Sequence, residues 1–297
     1  MSRLSAAAVE APPAAGAGPA AAASPGGRQS ARGQAGWRWL RAHGSAVAVY
    51  LALCVAWEGA SRVFHVPAYL VPPPSAIAQR LVDDHARLLT HSLTTLQEVL
   101  WGFLLGVVVS LPLALLITQS RAVGRLVYPL LVAFQAIPKV ALAPVVVVWF
   151  GFGPPSKVAL GFVTAVFPMV VNTVVGLNQT PPEMIHLMRS LGASPWQTFT
   201  KVRLYVAAPY IFGGFKVGIT LAVVGAVVGE FIAANRGLGY LLLVANNSFN
   251  TPLLFAVVVV LSLLSVLLFS LIEAVEALVL PRPLRRKEAD AGRGVGA

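Results

Sequence analysis

Charge is what this sequence has least of. Only 11% of its 297 residues are Asp, Glu, Lys or Arg, against about 25% in a soluble globular domain. Most of its surface is therefore not built to face water. A single cysteine, Cys54, excludes a disulfide framework and reads as filler within an apolar run. No Gly-Lys dipeptide occurs, so the chain has no Walker A loop to cradle nucleotide phosphates. G-x-S-x-G and H-E-x-x-H are also missing, which leaves hydrolase and zinc-protease chemistry without support. The five histidines, His43, His65, His85, His91 and His186, show no metal-ligand spacing. No catalytic residue, metal site or cofactor is assigned to this chain.

What the sequence has in abundance is apolar length. Hydrophobic residues make up 57% and mean hydropathy is +0.76. Six runs approach or exceed the ~20 residues needed to cross a ~30 Å hydrocarbon core. They lie at about 45–63, 93–118, 127–150, 156–177, 209–232 and 252–280. The expected fold class is an all-α integral membrane protein of about six transmembrane helices. Pro112, Pro129, Pro138, Pro144 and Pro168 fall inside or near these runs. Kinks at such residues survive where neighbouring helices or water satisfy the freed carbonyls. Gly102-xxx-Gly106, Gly214-xxx-Gly218 and Gly225-xxx-Gly229 allow close helix approach.

The domain plan follows. Residues 1–36, with 13 Ala, 6 Gly, 4 Pro and no aromatic residue, read as a disordered tail. The first apolar run begins too late for a signal peptide. Residues 37–90 hold the first span and an outer segment, 91–281 the core, and 282–297 a basic tail. Net charge is +11, and its placement decides its meaning. Fifteen Lys and Arg fall on the side of both termini and five on the other. By the positive-inside rule both termini are cytoplasmic, and nucleic acid is not a partner. Glu58 and Arg62, four apart near the outer end of the first span, read as an ion pair.

Residues 178–208 are the most informative stretch, because a plain connection between spans could be far shorter. Thr180, Pro181 and Glu183 read as a capping box that opens a first helix. Met184, Ile185, Leu187, Met188 and Leu191 follow helical spacing, and Gly192 ends the run. Ser194, Pro195 and Gln197 form a second capping box, followed by an apolar stripe of Trp196, Phe199 and Val202. The pattern is helix, glycine corner, helix. From physics alone it is either an amphipathic hairpin resting on lipid or a rigid knob that docks into a soluble partner. Lys139 and Lys216 lie within spans. Such cations either raise the potential for an anionic solute along a pathway, with Glu230 nearby, or are satisfied by Glu98 or Glu230, or snorkel.

The stretch SLGASPWQTFTKVRLYVAAPYIFGG resembles the EAA loop of ATP-binding-cassette (ABC) importer permeases, and the chain is identified as similar to their nitrate/sulfonate/taurine-type branch. HVPAYLVPPPSAI, HSLTTLQEVLWGFLLG, AIPKVALAPVVVVWFGFGPPSKV and VVGEFIAANRGLGYLL carry the resemblance over about 65–280. It implies a type I importer-like fold in the bacterial inner membrane. A short coupling helix would insert into a cytoplasmic ATPase subunit. Two such ATPases would bind ATP and Mg, a second permease copy would complete a homodimer, and an external solute-binding protein would meet the outer surface near NRGLGY (235–240). The implied coupling residues are Glu183, His186, Leu187, Met188, Leu191, Gly192, Ala193, Ser194, Pro195, Trp196, Phe199 and Val202. The implied cargo is a small solute, anionic like sulfonate, nitrate or taurine, or alternatively riboflavin or a pyrimidine or thiamine precursor. A channel or secondary transporter working without an ATPase is the reading of another class. Two elements depart from the family pattern: His186-Leu187-Met188 replaces Glu-Ala-Ala, and Leu204-Tyr205 replaces Leu-Pro. Without that proline stop, the second loop helix is expected to run on toward Pro209.

Overall fold

The computed structural model describes residues 48–280; both predicted tails, and the first three residues of the predicted first span, lie outside the described residues. The chain divides into units 1–56 and 57–297. Of the first unit, the described residues 48–56 are helical, and Cys54 is exposed. In the second unit 57–63 are helical as well. Then follow α1 (Pro74–Asp83), α2 (His85–Gln119), α3 (Arg121–Ala136), α4 (Lys139–Phe150), α5 (Pro154–Asn178), α6 (Pro182–Ser190) and α7 (Pro195–Thr198). A π-helical turn, Phe199–Arg203, leads into α8 (Leu204–Ala233), and α9 (Leu238–Asn247) and α10 (Thr251–Val279) complete the unit. No strand occurs among the described residues.

Four uninterrupted helical stretches are long and apolar enough to span a bilayer: α2, α5, Pro195–Ala233 and α10. They contain the second, fourth and fifth predicted spans, and the sixth but for its last residue. The third predicted span, 127–150, is not one rod. It is the pair α3 and α4, bent by 99° at a short break. The cause is local. A proline disfavours helical geometry in the residue before it, and Ile137 is accordingly extended at φ −69°, ψ 127°. Pro138 then caps α4. Pro112, Pro129, Pro144 and Pro168, by contrast, sit inside continuous helices.

The core forms where α5 packs between α2 and α8, around Val99, Phe103, Met169, Ile219 and Ala222. Glycines on α2 and α8 make this approach possible. A Cβ on Gly102 would meet the Val158 carbonyl oxygen at 2.9 Å, and one on Gly214 would meet Asn172 Cβ at 3.0 Å. Backbones this close gain dispersion and weak Cα–H contacts that side chains would forbid. Much of α10 faces outward with Leu263, Val266, Leu267 and Leu278 exposed, as a lipid-facing helix requires. At the opposite end of the bundle from α6, Glu58 pairs with Arg62 at 2.6 Å as expected. Its carboxylate also accepts from Ser75 N at 3.0 Å and Ser75 Oγ at 2.8 Å. It thereby satisfies an otherwise orphaned donor in the first turn of α1.

Candidate functional site

The helix-glycine-helix corner is present, with one change at its start. The predicted capping box at Thr180 does not form. Two prolines in succession hold Pro181 extended, so α6 begins only at Pro182, without a side-chain cap. The Thr180 hydroxyl turns back onto the Leu177 carbonyl instead. Glu183 remains in the first turn, where its charge complements the helix dipole. The exit is as the sequence foretells. Gly192 takes φ +71°. Its N–H bonds the Arg189 carbonyl, and Ala193 N–H bonds the Met188 carbonyl, both at 3.0 Å. This pair of bonds is the Schellman arrangement, which needs a left-handed residue. Nothing lies within 4 Å of a Cβ built on Gly192, so the requirement is for backbone freedom and not for space.

The second capping box is complete. Ser194 Oγ accepts from Gln197 N at 3.2 Å, and Gln197 Oε1 accepts from Ser194 N at 2.8 Å. From Pro195 the helix runs without interruption to Ala233, 39 residues in all. Pro209 lies inside it. At 1.5 Å per residue that is about 58 Å, roughly twice the thickness of a hydrocarbon core. One rod thus carries both the corner and a membrane span. Phe199 joins the two regions: half-buried, it packs with Leu177, Ala207 and Ile211 on one side. On the other it lies 5.8 Å, centroid to centroid, from Trp196. Val202 and Met188 are half-buried, while His186 is exposed. Leu187, Leu191 and Trp196 stand out at 59%, 71% and 72% exposure. Large apolar groups so displayed mark an interaction surface. Ala193 and Pro195 line a cavity of about 650 Å³ beside them.

The three residues considered for a pathway are dispersed. Lys139 sits at the α3–α4 break, where its Nζ donates to the Gln135 carbonyl at 2.7 Å. Lys216 pairs with Glu276 of α10 at 2.6 Å. Neither Glu98 nor Glu230 is the partner of these lysines. Glu230 is wholly buried and belongs to a polar clamp at the end of α8 away from the corner. It accepts from Thr95 Oγ1 at 2.6 Å and from Gly239 N at 2.5 Å. Thr95 Oγ1 accepts from Leu238 N at 2.8 Å, and His91 Nδ1 accepts from Gly237 N at 3.0 Å. Lys157 donates to the carbonyls of Phe152, Gly153 and Ala233. The clamp therefore fixes the 234–239 turn, where Gly237 has φ +107°, against α2 and α5. Sequence reasoning missed Thr95, His91, Lys157 and Glu276. The available signals were Lys157 and Glu276, charged residues inside the fourth and last apolar runs.

Residues 102–282 match the family described as binding-protein-dependent transport system inner membrane component. The chain belongs to this family. As a permease component it resembles transporter subunits and not enzymes. It is 39% identical over 233 residues to the formylaminopyrimidine transport permease protein ThiX of Halalkalibacterium halodurans, covering 78% of this chain and 93% of that one. It is 36% identical to the riboflavin transport system permease protein RibX of Chloroflexus aurantiacus, covering 77% and 86%. Identity falls to 26% with the taurine transport system permease protein TauC of Escherichia coli, covering 78% and 88%. The fold is that of a crystal structure of the MetNI methionine ABC transporter in an inward-facing conformation. The TM-score is 0.59 at 22% identity, over 65% of this chain and 97% of that one. The family is thus the expected one, while the nitrate/sulfonate/taurine branch is not singled out.

Proposed function

We propose that this permease couples ATP hydrolysis on two cytoplasmic ATPase subunits to solute import across the bacterial inner membrane. The observation that carries the reading is the 39-residue rod from Pro195 to Ala233, which begins at an exposed apolar corner and ends at the Glu230 clamp. ATP and Mg would bind on the ATPases. As these close, force on Leu187, Leu191 and Trp196 would pass along the continuous helix into α8. The π-helical turn at Phe199–Arg203 is the one departure from α geometry in this rod, and such turns concentrate at functional sites. The moving elements would be two permease copies that alternate between inward- and outward-facing arrangements. An external binding protein would deliver solute at the clamp end, and both termini would be cytoplasmic.

The solute we favour is an uncharged nitrogen heterocycle of the pyrimidine or riboflavin kind. The more similar named relatives carry such names. The anionic alternative leaned on Lys139 and Lys216, and the second of these is neutralised by Glu276. Uptake by proteoliposomes tests both parts. Vesicles holding this chain with its ATPases and binding protein should accumulate labelled formylaminopyrimidine or riboflavin, not taurine, and only with ATP inside. Accumulation by vesicles holding this chain alone would instead establish a channel or secondary transporter.

A further inference from the structure

The loop around the corner has an unbalanced charge. Between residues 178 and 208 the only acidic side chain is Glu183, against Arg189, Lys201 and Arg203. Two of these cations meet at the cavity beside the corner, which is also lined by Gln119, Trp196 and Phe199 and has no acidic residue in its wall. Arg189 is exposed. Arg203 reaches across to the Leu177 carbonyl through Nη2 at 3.3 Å, while its Nε is buried without a partner. A half-buried guanidinium with an unpaired nitrogen, at a cavity with no acidic residue in its wall, suits a carboxylate as its counter-charge. The aromatic walls lower the local dielectric and strengthen such a pair.

We propose that this cavity receives an acidic side chain of the ATP-binding subunit, held by Arg189 and Arg203, so that docking at the corner depends on basic charge in the permease. The proposal rests on the coupling reading above and adds to it the chemistry of the partner. A lipid headgroup is the less suitable anion because of distance. If the Glu230 end of the 39-residue rod lies at one face of the bilayer, the Pro195 end stands about 25 Å beyond the other face of the core. Exposed Leu187, Leu191 and Trp196 would surround the ion pair and exclude water from it, as apolar neighbours do around interface anchors.

Zero-length crosslinking of the assembled complex tests this. A carbodiimide joins a lysine amine to a carboxylate only where the two touch. In R189K and R203K variants, which keep the charge, mass spectrometry should find an amide between position 189 or 203 and an Asp or Glu of the ATP-binding subunit. In R189Q/R203Q the dissociation constant for that subunit should rise by about tenfold or more, with a weaker dependence on salt. Trp196→Ala is the control on the docking reading, because it removes apolar contact without touching charge. If Trp196→Ala abolishes assembly while neither crosslink forms and R189Q/R203Q binds normally, the charge proposal is overturned and docking stands. If Trp196→Ala assembles normally, docking itself falls and takes the proposal with it. Native mass spectra showing anionic lipid bound to the wild type and lost from R189Q/R203Q would assign the cavity to a headgroup.

Discussion

The two ends of the Pro195–Ala233 rod are built on opposite plans. At one end Leu187, Leu191 and Trp196 stand exposed around a glycine corner whose turn is closed by its own backbone hydrogen bonds and by the Ser194–Gln197 box. At the other, Glu230, Thr95 and Lys157 are buried and bonded across three helices. The first plan leaves apolar area for something else to cover. The second leaves little undone, since Glu230, Thr95 and Lys157 each find partners across the helices. A rod fixed firmly at one end and displayed at the other suits a part that is pushed from outside.

Substitutions should separate the two plans, because one end governs stability and the other assembly. A clear loss of stability is expected from Glu230→Leu. It strips the acceptor from Gly239 N–H, at about 1–3 kcal/mol for the buried donor left unpaired, and leaves the Thr95 hydroxyl only the His91 carbonyl. Thermal unfolding in detergent should show a marked fall, and an unchanged midpoint would remove the clamp from this comparison. Breaking the Lys216–Glu276 pair should cost at least as much. Glu276→Gln or Lys216→Met alone should each cost about 3–5 kcal/mol, because one buried charge is left uncompensated. The combined K216M/E276L replacement should recover most of that loss, and failure to recover would mean that the pair does more than neutralise itself. At the corner the effects on folding are smaller. Gly192→Ala should cost about 1–2 kcal/mol for forcing an L-residue into left-handed geometry, and Ser194→Ala about 1 kcal/mol for the lost cap. Trp196→Ala should leave the unfolding midpoint within about 0.5 kcal/mol of wild type, yet should abolish copurification with the ATPase subunit. A stability loss at Trp196 as large as that at Glu230 would erase the distinction between the ends.

Much of the corner was legible because its determinants are local. Ser194, Pro195 and Gln197 can satisfy one another whatever lies around them, and a left-handed residue after a helix calls for glycine. The failure at Thr180 was local too: the effect of Pro182 on Pro181 moves the helix start by one residue, beyond the reach of the hydroxyl. Pro138 shows the opposite difficulty. Pro112, Pro129, Pro138, Pro144 and Pro168 looked alike in sequence, yet of these only Pro138 breaks a helix, with Lys139 Nζ covering the Gln135 carbonyl at the break. The clamp was not legible at all. Its hydrogen bonds join residues separated by 135, 143 and 146 positions, and no periodicity or spacing links positions so far apart.

By itself the sequence determined that this chain lives in a membrane, where its long apolar runs lie, and that a glycine corner interrupts them, because hydropathy and backbone stereochemistry act within a few residues. Only the tertiary structure decided which charges are spoken for. Whether Lys216, Lys157 or Glu230 stands free or satisfied depends on which helix lies opposite, and that is fixed by the close packing of α2, α5 and α8.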